Sequence, residues 1–142
     1  RQVSLVIDAS IVVNVIIPQQ LTDSAVLWMA RPIAKLAPEF LRIEVANALW
    51  QSEAAGLLNT DQADRAWRNL DESGIRLVPD NDHLDRARSI ARGLRHSIYD
   101  CLYLAVAEAN EATLLTANRR LYRLAKDHGE SVQVAWIEDQ PY

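Results

Sequence analysis

Little in this sequence favours a disulfide scaffold, a zinc cluster or a disordered tail. Its 142 residues contain one cysteine, Cys101, which excludes an internal disulfide and a zinc site built from several cysteines. Four glycines and five prolines are too few for a collagen-like or low-complexity chain. No apolar run approaches the roughly 18 residues of a membrane span, and the first residues run into Asp8 instead of forming a signal-peptide core. We therefore expect a cytoplasmic protein with no membrane partner.

The length and apolar content of the chain are those of one domain with one core. Hydrophobic residues make up 49% of the sequence, and we place a single domain at residues 1–142. The formal net charge is −4, from 15 basic and 19 acidic side chains. A general nucleic-acid binder is expected to be basic, because phosphate neutralisation supplies most of its affinity. The acidic balance therefore counts against a simple RNA-binding module, but not against a nuclease with an acidic metal site.

Short apolar runs alternate with helical patterns along the whole chain. Gly56, Gly74 and Gly129 mark predicted helix ends, while Pro38 is expected in the first turn of one helix and Thr60 at the cap of the next. This alternation predicts a three-layer α/β sandwich, with helices flanking a central and mostly parallel sheet. The runs predicted as strands are "VSLVID" (3–8), the part of "AKLAPEF" before Pro38 (34–37), "IRLVP" (75–79), "TLLT" (113–116) and "VQVAWI" (132–137).

Two predicted strands end in polar side chains. Asp8 follows the first strand, and Thr116 ends the "TLLT" strand shortly before Asn118. Functional residues of open α/β sheets collect beyond the carboxyl ends of parallel strands, so these residues are candidates for one site. Asp8 is also a favoured residue type for capping the following helix, and the sequence alone leaves both interpretations open.

The helix predicted over "PEFLRIEVANALWQSEAAG" (38–56) has two polar stripes. Glu44, Asn47 and Gln51 lie within roughly 60° of one another, and Arg42 and Glu53 lie on nearly the opposite side. A surface helix ordinarily has one polar face, so one of these stripes is a candidate for lining a cleft. A simply solvated Glu44 is the alternative.

A single carboxylate, Asp100, heads the apolar helix of "SIYDCLYLAVA" (97–107). Ser97 and Asp100 have the spacing of a capping box, and the helix dipole favours an acid in the first turn by about 0.3–1 kcal/mol. Capping alone can explain Asp100. It does not explain why Asp8 and Glu44 occur at positions that can converge with it.

Three converging carboxylates would repel one another and need a cation to remain charged. Oxygen ligands without cysteine or histidine suit a hard ion, Mg²⁺ or Mn²⁺. Such an ion can activate a water molecule and stabilise the transition state of phosphodiester hydrolysis. The acids therefore favour a metal-dependent nuclease, provided that they do converge.

The order and spacing of "VIDAS", "APEFLRIEVANALW" and "SIYDCLYLAVAEANEATLLTANRRL" resemble the PIN domain. Within that family the sequence is most similar to VapC-type toxins of toxin–antitoxin pairs, over about residues 4–136. The resemblance implies a Rossmann-like fold and a metal-dependent endoribonuclease. It also implies that Asp8, Glu44 and Asp100 are catalytic and bind Mg²⁺ or Mn²⁺.

The chain departs from the family at one acid. Asn118 of "LTAN" stands where the family has the aspartate of "TAD", and it keeps an oxygen but loses the charge. We include it among the catalytic positions and expect it to bind a second metal ion poorly. Ser10 and Thr116 stand where the family often has small hydroxyl residues, and we assign them supporting roles. Asn47, on the stripe of Glu44, is assigned one too.

The resemblance further implies an RNA substrate, a VapB-type antitoxin as partner, and a homodimer. Asn118 keeps open an alternative, a PIN-like domain of weak or lost activity that only binds protein or RNA. Other enzyme classes fit less well. A haloacid-dehalogenase phosphatase needs a second aspartate where Ser10 stands, a receiver domain needs paired acids and a late lysine, and dinucleotide binding needs a G-x-G-x-x-G turn.

The remaining polar residues carry weaker signals. The three histidines have no ligand spacing, so surface or capping roles are expected for His83, His96 and His128. Basic residues of the helix "NRRLYRLAK" (118–126) can contact RNA phosphates or face solvent. Cys101 begins an apolar helix and is expected to be a small buried residue.

Overall fold

A computed structural model describes residues 3–140 of the protein, and in it all five runs predicted as strands join one sheet. Every neighbouring pair in that sheet is parallel, so the predicted parallel architecture is confirmed. The strands are β1 (Ser4–Ile7), β2 (Ala34–Pro38), β3 (Ile75–Val78), β4 (Thr113–Thr116) and β5 (Gln133–Trp136), and their order is β3–β2–β1–β4–β5.

Seven α-helices of the described residues cover the two faces of the sheet. Helices α1 to α4 pack among themselves, and helices α5 to α7 do the same. Crossovers between parallel strands are right-handed in nearly all proteins, and with this strand order the rule places the two groups on opposite faces of the sheet. The predicted three-layer sandwich is confirmed. The helices are α1 (Ala9–Ile16), α2 (Thr22–Met29), α3 (Phe40–Ala54), α4 (Thr60–Asp71), α5 (Leu84–Leu94), α6 (Ile98–Ala109) and α7 (Arg119–His128), with a short 3-10 helix (Asp80–His83) before α5.

The core lies between the sheet and both helical layers. Leu5, Val6 and Ile7 of β1 are fully buried, as expected of a parallel strand covered on both faces. Helix α6 is buried along most of its length, and burial raises the pKa of the Cys101 thiol to about 11. Cys101 is therefore a small buried residue, as predicted. Within residues 3–140, no helix has the length and apolar content needed to cross a membrane.

The start of helix α3 differs from the prediction. Pro38 is the last residue of β2, where it lies opposite Val78 of β3, and the helix begins only at Phe40. The register between β2 and β1 already ends at Leu36, so the missing N–H of Pro38 lies at the edge of that pairing. The prediction that Pro38 belongs to the first helical turn is wrong.

The cap of helix α4 is also one residue away from the predicted position. Asn59, not Thr60, caps the helix: its Oδ1 accepts from the Gln62 amide at 2.8 Å. The Gln62 side chain accepts in turn from the Asn59 amide at 2.9 Å. This reciprocal capping box satisfies two otherwise unpaired donors, and Thr60 becomes the first helical residue.

Candidate active site

The candidate site lies where the sheet changes direction. The chain builds β2 and β3 on one side of β1 and then returns to place β4 and β5 on the other. Asp8 follows β1 directly, and its amide donates to the Leu115 carbonyl of β4 at 3.4 Å. Asp8 and Thr116 therefore lie side by side at a topological switch point, the usual position of ligand sites in such sheets.

Two hydroxyl groups hold the carboxylate of Asp8. Ser10 Oγ donates to Asp8 Oδ1 at 2.5 Å, and Thr116 Oγ1 donates to Asp8 Oδ2 at 3.0 Å. Each hydroxyl accepts a backbone N–H of its own, from Ala117 at 2.8 Å and from Asn118 at 2.9 Å. Because these amides direct the hydroxyl protons towards Asp8, both carboxylate oxygens are fixed in place. We call this arrangement of Ser10, Thr116 and the two amides the hydroxyl cradle.

Burial dominates the electrostatics of Asp8. The side chain is almost completely inaccessible, and this desolvation raises its pKa from the ordinary 3.8 to about 7. Hydrogen bonds from Ser10 and Thr116 lower the pKa of Asp8, while the nearby charge of Glu44 raises it. A buried carboxylate with so high a pKa is typical of a functional site.

Glu44 is connected to both other acids. Tyr103 of α6 donates its hydroxyl proton to Glu44 Oε1 at 2.5 Å. Burial raises the pKa of Glu44, the bond from Tyr103 lowers it, and the charge of Asp100 raises it again. Since Glu44 also raises the pKa of Asp8, it interacts electrostatically with both aspartates. The alternative of a simply solvated Glu44 is wrong, because its side chain is half-buried and hydrogen-bonded.

Asp100 is buried, and its carboxylate contacts the side chains of His96 and Arg120. His96 Nε2 lies 2.8 Å from Asp100 Oδ2, and Arg120 Nε donates to the same oxygen at 3.0 Å. The Arg120 side chain remains 64% exposed. The expectation of a surface or capping role for His96 is wrong, because its ring contacts a candidate catalytic acid.

Neither aspartate caps a helix with its side chain. Asp8 stands at the N-cap of α1 but makes no side-chain cap bond, since both its oxygens belong to the hydroxyl cradle. Ser97 at the N-cap of α6 makes no such bond either. The predicted capping box of Ser97 and Asp100 is wrong, because the Asp100 carboxylate faces His96 and Arg120 instead.

These residues lie within the part of the chain that the PIN domain family profile matches, residues 5–127. The chain belongs to the PIN domain family. It is 30% identical over 121 residues to Ribonuclease VapC3 of Pyrobaculum aerophilum, which covers 82% of this chain and 91% of that protein. The resemblance to PIN domains and VapC proteins is thus confirmed.

Solved structures share the fold of this PIN domain. The crystal structure of PAE2754 from Pyrobaculum aerophilum superposes with a TM-score of 0.75 at 22% identity, covering 97% of this chain and 93% of that one. A toxin–antitoxin complex from Klebsiella pneumoniae contains a chain with a TM-score of 0.65 at 15% identity, covering 96% and 99%. At these identities the likeness establishes the PIN fold, including the five-stranded parallel sheet between two helical layers.

Asn118 and Asn47 of this PIN domain lie less centrally than the acids. Asn118 Oδ1 accepts from the amides of Arg120 at 2.9 Å and Leu121 at 3.4 Å, so it caps helix α7. Asn47 is exposed on α3, and within residues 3–140 no hydrogen bond connects it to the three acids. The side-chain oxygen of Asn118 is therefore engaged by a helix end, and the supporting role of Asn47 stays a prediction.

We expect Asn118→Asp to keep the helix cap and Asn118→Ala to lose it. Asp is as good an N-cap as Asn and adds a charge that the helix dipole favours, whereas alanine costs about 1 kcal/mol. Urea unfolding should therefore rank Asn118→Asp at or above the wild type and Asn118→Ala below it. Calorimetric titration with Mn²⁺ should show equal or tighter binding by Asn118→Asp; clearly weaker binding would mean that the amide itself is required.

The donor set suits a hard divalent cation. Asp8, Glu44 and Asp100 offer only oxygen ligands, and burial and mutual repulsion raise the pKa values of Asp8 and Glu44, a strain that a cation relieves. Within the described residues 3–140, no group of three or more His, Cys, Asp and Glu side chains is already arranged to hold a metal ion. The acids are linked pairwise through Glu44.

Proposed function

We propose that this PIN domain is a metal-dependent endoribonuclease and the toxin of a toxin–antitoxin pair. The observation that carries the proposal is the buried Asp8 in its hydroxyl cradle, electrostatically coupled to Glu44 and through it to Asp100, at the switch point of the sheet. The relative from Pyrobaculum aerophilum, named a ribonuclease, supports the same activity. RNA is the proposed substrate, and Mg²⁺ or Mn²⁺ the proposed ion.

Each acid has a definite task in this proposal. Asp8, Glu44 and Asp100 would hold the divalent ion, and the chemistry it would supply when bound is polarisation of the scissile phosphate and activation of a water molecule. The hydroxyl cradle orients Asp8, as ligands are commonly oriented by the groups behind them. Tyr103 orients Glu44 through its hydroxyl hydrogen bond. The expected products carry a 5′-phosphate and a 3′-hydroxyl.

Arg120 provides positive charge next to Asp100, and His96 contacts the same carboxylate oxygen. Both side chains hold Asp100 in place through these contacts to its Oδ2. The guanidinium of Arg120 is exposed as well, which places a cation where an RNA phosphate would approach the acids. We assign Arg120 to phosphate contact and His96 to the positioning of Asp100.

An antitoxin of VapB type and a second copy of the chain are the proposed protein partners. The similar fold of a chain within the toxin–antitoxin complex from Klebsiella pneumoniae supports the antitoxin. Val26 and Leu27 of α2 are exposed apolar side chains that a partner segment can cover. An arginine of that segment could pair with the acids and replace the ion electrostatically.

Loss of activity with retained binding is the second candidate function. The observation that favours it is Asn118, whose side chain carries no charge and whose oxygen caps helix α7. In that case the domain would bind RNA or protein without hydrolysing it. The two candidates differ in a single measurement, the cleavage of RNA.

We expect the purified protein to cleave single-stranded RNA with Mg²⁺ or Mn²⁺ and to lose this activity in EDTA. Glu44→Gln should lower the cleavage rate by at least about a hundredfold, because it removes one charge from the ion site. Glu130→Gln makes the same change at an exposed carboxylate that follows the C-terminal end of α7, and it should leave the rate unchanged. Binding of RNA without cleavage in either ion would instead support the second candidate.

A further inference from the structure

An exposed aromatic pair stands beside the acids. The rings of Phe40 and Tyr99 stack with their centroids 5.1 Å apart and an angle of 20° between their planes. Phe40 packs against the core as the inner ring, whereas Tyr99 is 60% exposed as the outer ring. Water therefore contacts most of a flat aromatic side chain whose orientation is fixed by the ring beneath it. We call Phe40 and Tyr99 the aromatic pair.

The aromatic pair is in register with the catalytic acids. Phe40 lies four residues before Glu44 on α3, and Tyr99 lies four residues before Tyr103 on α6. Because Tyr103 and Glu44 are themselves hydrogen-bonded, the two helices contact each other at two successive levels. Residues four apart on a helix are separated by about 6 Å, which is on the order of one nucleotide of an extended strand. Tyr99 also directly precedes Asp100 in the chain.

The net charge of the protein bears on how it can bind RNA. A net charge of −4 leaves little general attraction for a polyanion, so affinity for RNA must come from local contacts. Stacking of a base on an aromatic ring supplies affinity without a basic surface and tolerates any base. Single-stranded RNA is commonly recognised in this manner, by unstacked bases on tyrosine or phenylalanine.

We propose that the aromatic pair is a nucleobase-binding subsite, on which an unpaired base next to the scissile phosphate stacks against Tyr99. The proposal rests on the proposed function, since it places RNA at the acids, but its test reads binding and not cleavage. Phe40 fixes the plane of the Tyr99 ring. Arg120, which donates to Asp100 Oδ2 and is largely exposed, supplies the cation that meets the phosphate. The subsite therefore favours single-stranded over double-stranded RNA.

The experiment measures the binding of a fluorescent ten-nucleotide single-stranded RNA to Asp8→Asn protein in EDTA, where cleavage does not interfere. Adding Tyr99→Ala should raise the Kd by roughly 5- to 150-fold, the value of one lost base stack. Adding Tyr99→Trp should retain the affinity. Trp50→Ala is the matched control, because it removes a similarly exposed ring of α3 that has no stacking partner among the described residues, and it should leave the Kd unchanged.

Oligonucleotides with one abasic position identify what Tyr99 contacts. One abasic position should weaken binding to protein with Tyr99 and have no further effect on the Tyr99→Ala variant. An unchanged Kd for Tyr99→Ala, or an equal loss with intact and abasic RNA, would overturn the subsite. The subsite would also be overturned if Tyr99→Ala changed the oligomeric state of the protein and left RNA binding unchanged, since the aromatic pair would then be a contact between protein chains. Weakened RNA binding in a protein that cleaves nothing would uphold the subsite and reject only the nuclease.

Discussion

Asp8→Asn should reduce RNA cleavage by about a thousandfold or more and, in the absence of metal, should stabilise the fold at pH 8. Cleavage falls because the substitution removes the charge of the most deeply buried candidate ligand while leaving its shape. The hydroxyl cradle is still present, so the amide side chain keeps hydrogen-bonding partners in Ser10 and Thr116. The loss of activity is therefore expected without a loss of structure.

The stabilisation follows from the pKa of Asp8, which is about 7 in the folded protein against an ordinary 3.8. Between these values the folded state holds a proton that the unfolded chain has released, so folding becomes less favourable as the pH rises from about 4 to 7. Above pH 7 the buried charge destabilises the folded state fully, by an amount on the order of a few kcal/mol. Asparagine has no such titration.

Urea unfolding in EDTA at pH 5 and pH 8 measures this effect. We expect the gap in unfolding free energy between Asp8→Asn and the wild type to widen in favour of the variant as the pH rises. Glu130→Gln again provides a control, because it makes the matching change at a side chain that is exposed to water. A gap that stays constant across this range would mean that Asp8 titrates alike in the folded and unfolded states.

Trp28→Ala should lower the unfolding free energy by about 3–5 kcal/mol, the cost of emptying a large core position. Trp28 is 1% exposed, and its indole Nε1 donates to the Ile137 carbonyl at 2.8 Å. The amide of Ile137 donates in turn to the Thr116 carbonyl at 3.0 Å. Trp28 thus joins α2 to the segment after β5, and this segment supports the strand end that carries Thr116.

Two comparisons separate the parts of the Trp28 effect. Trp28→Phe keeps most of the apolar volume and loses the indole N–H, so a smaller loss is expected, dominated by the unpaired Ile137 carbonyl at about 1–3 kcal/mol. Trp50→Ala removes a 64% exposed ring and should change stability by no more than about 0.5 kcal/mol. Equal losses at positions 28 and 50 would show that burial does not determine the cost.

The sheet was predictable because its signals are local. Apolar runs such as 3–8 and 113–116 are continuous, as strands covered on both faces must be, and the helices between them require parallel pairing. Helix boundaries were less predictable, because neighbouring residue types compete for them. Asn59 and Thr60 are both good caps, and only the reciprocal bonds with Gln62 decide for Asn59.

The site was predictable only where topology alone determines it. The meeting of Asp8 with Thr116 follows from strand ends at a switch point. Tyr103 and Glu44 are 59 positions apart in the chain, and Arg120 and Asp100 are 20 apart. Contacts over such separations cannot be predicted from a local sequence pattern. His96 stands four residues before Asp100, and this i,i+4 spacing is the sequence signal for their contact. The capping-box spacing of Ser97 and Asp100 is a competing signal in the same segment.

The hydroxyl cradle makes the position of the Asp8 carboxylate largely independent of the side chain at position 118. What Asn118 contributes to Asp8 is its backbone amide, which donates to Thr116 Oγ1, and every amino acid except proline carries that donor. The side chain, meanwhile, serves helix α7. An aspartate at position 118 can thus be exchanged for an asparagine without moving Asp8. Such a substitution changes the charge of the site but leaves the geometry around Asp8 unchanged.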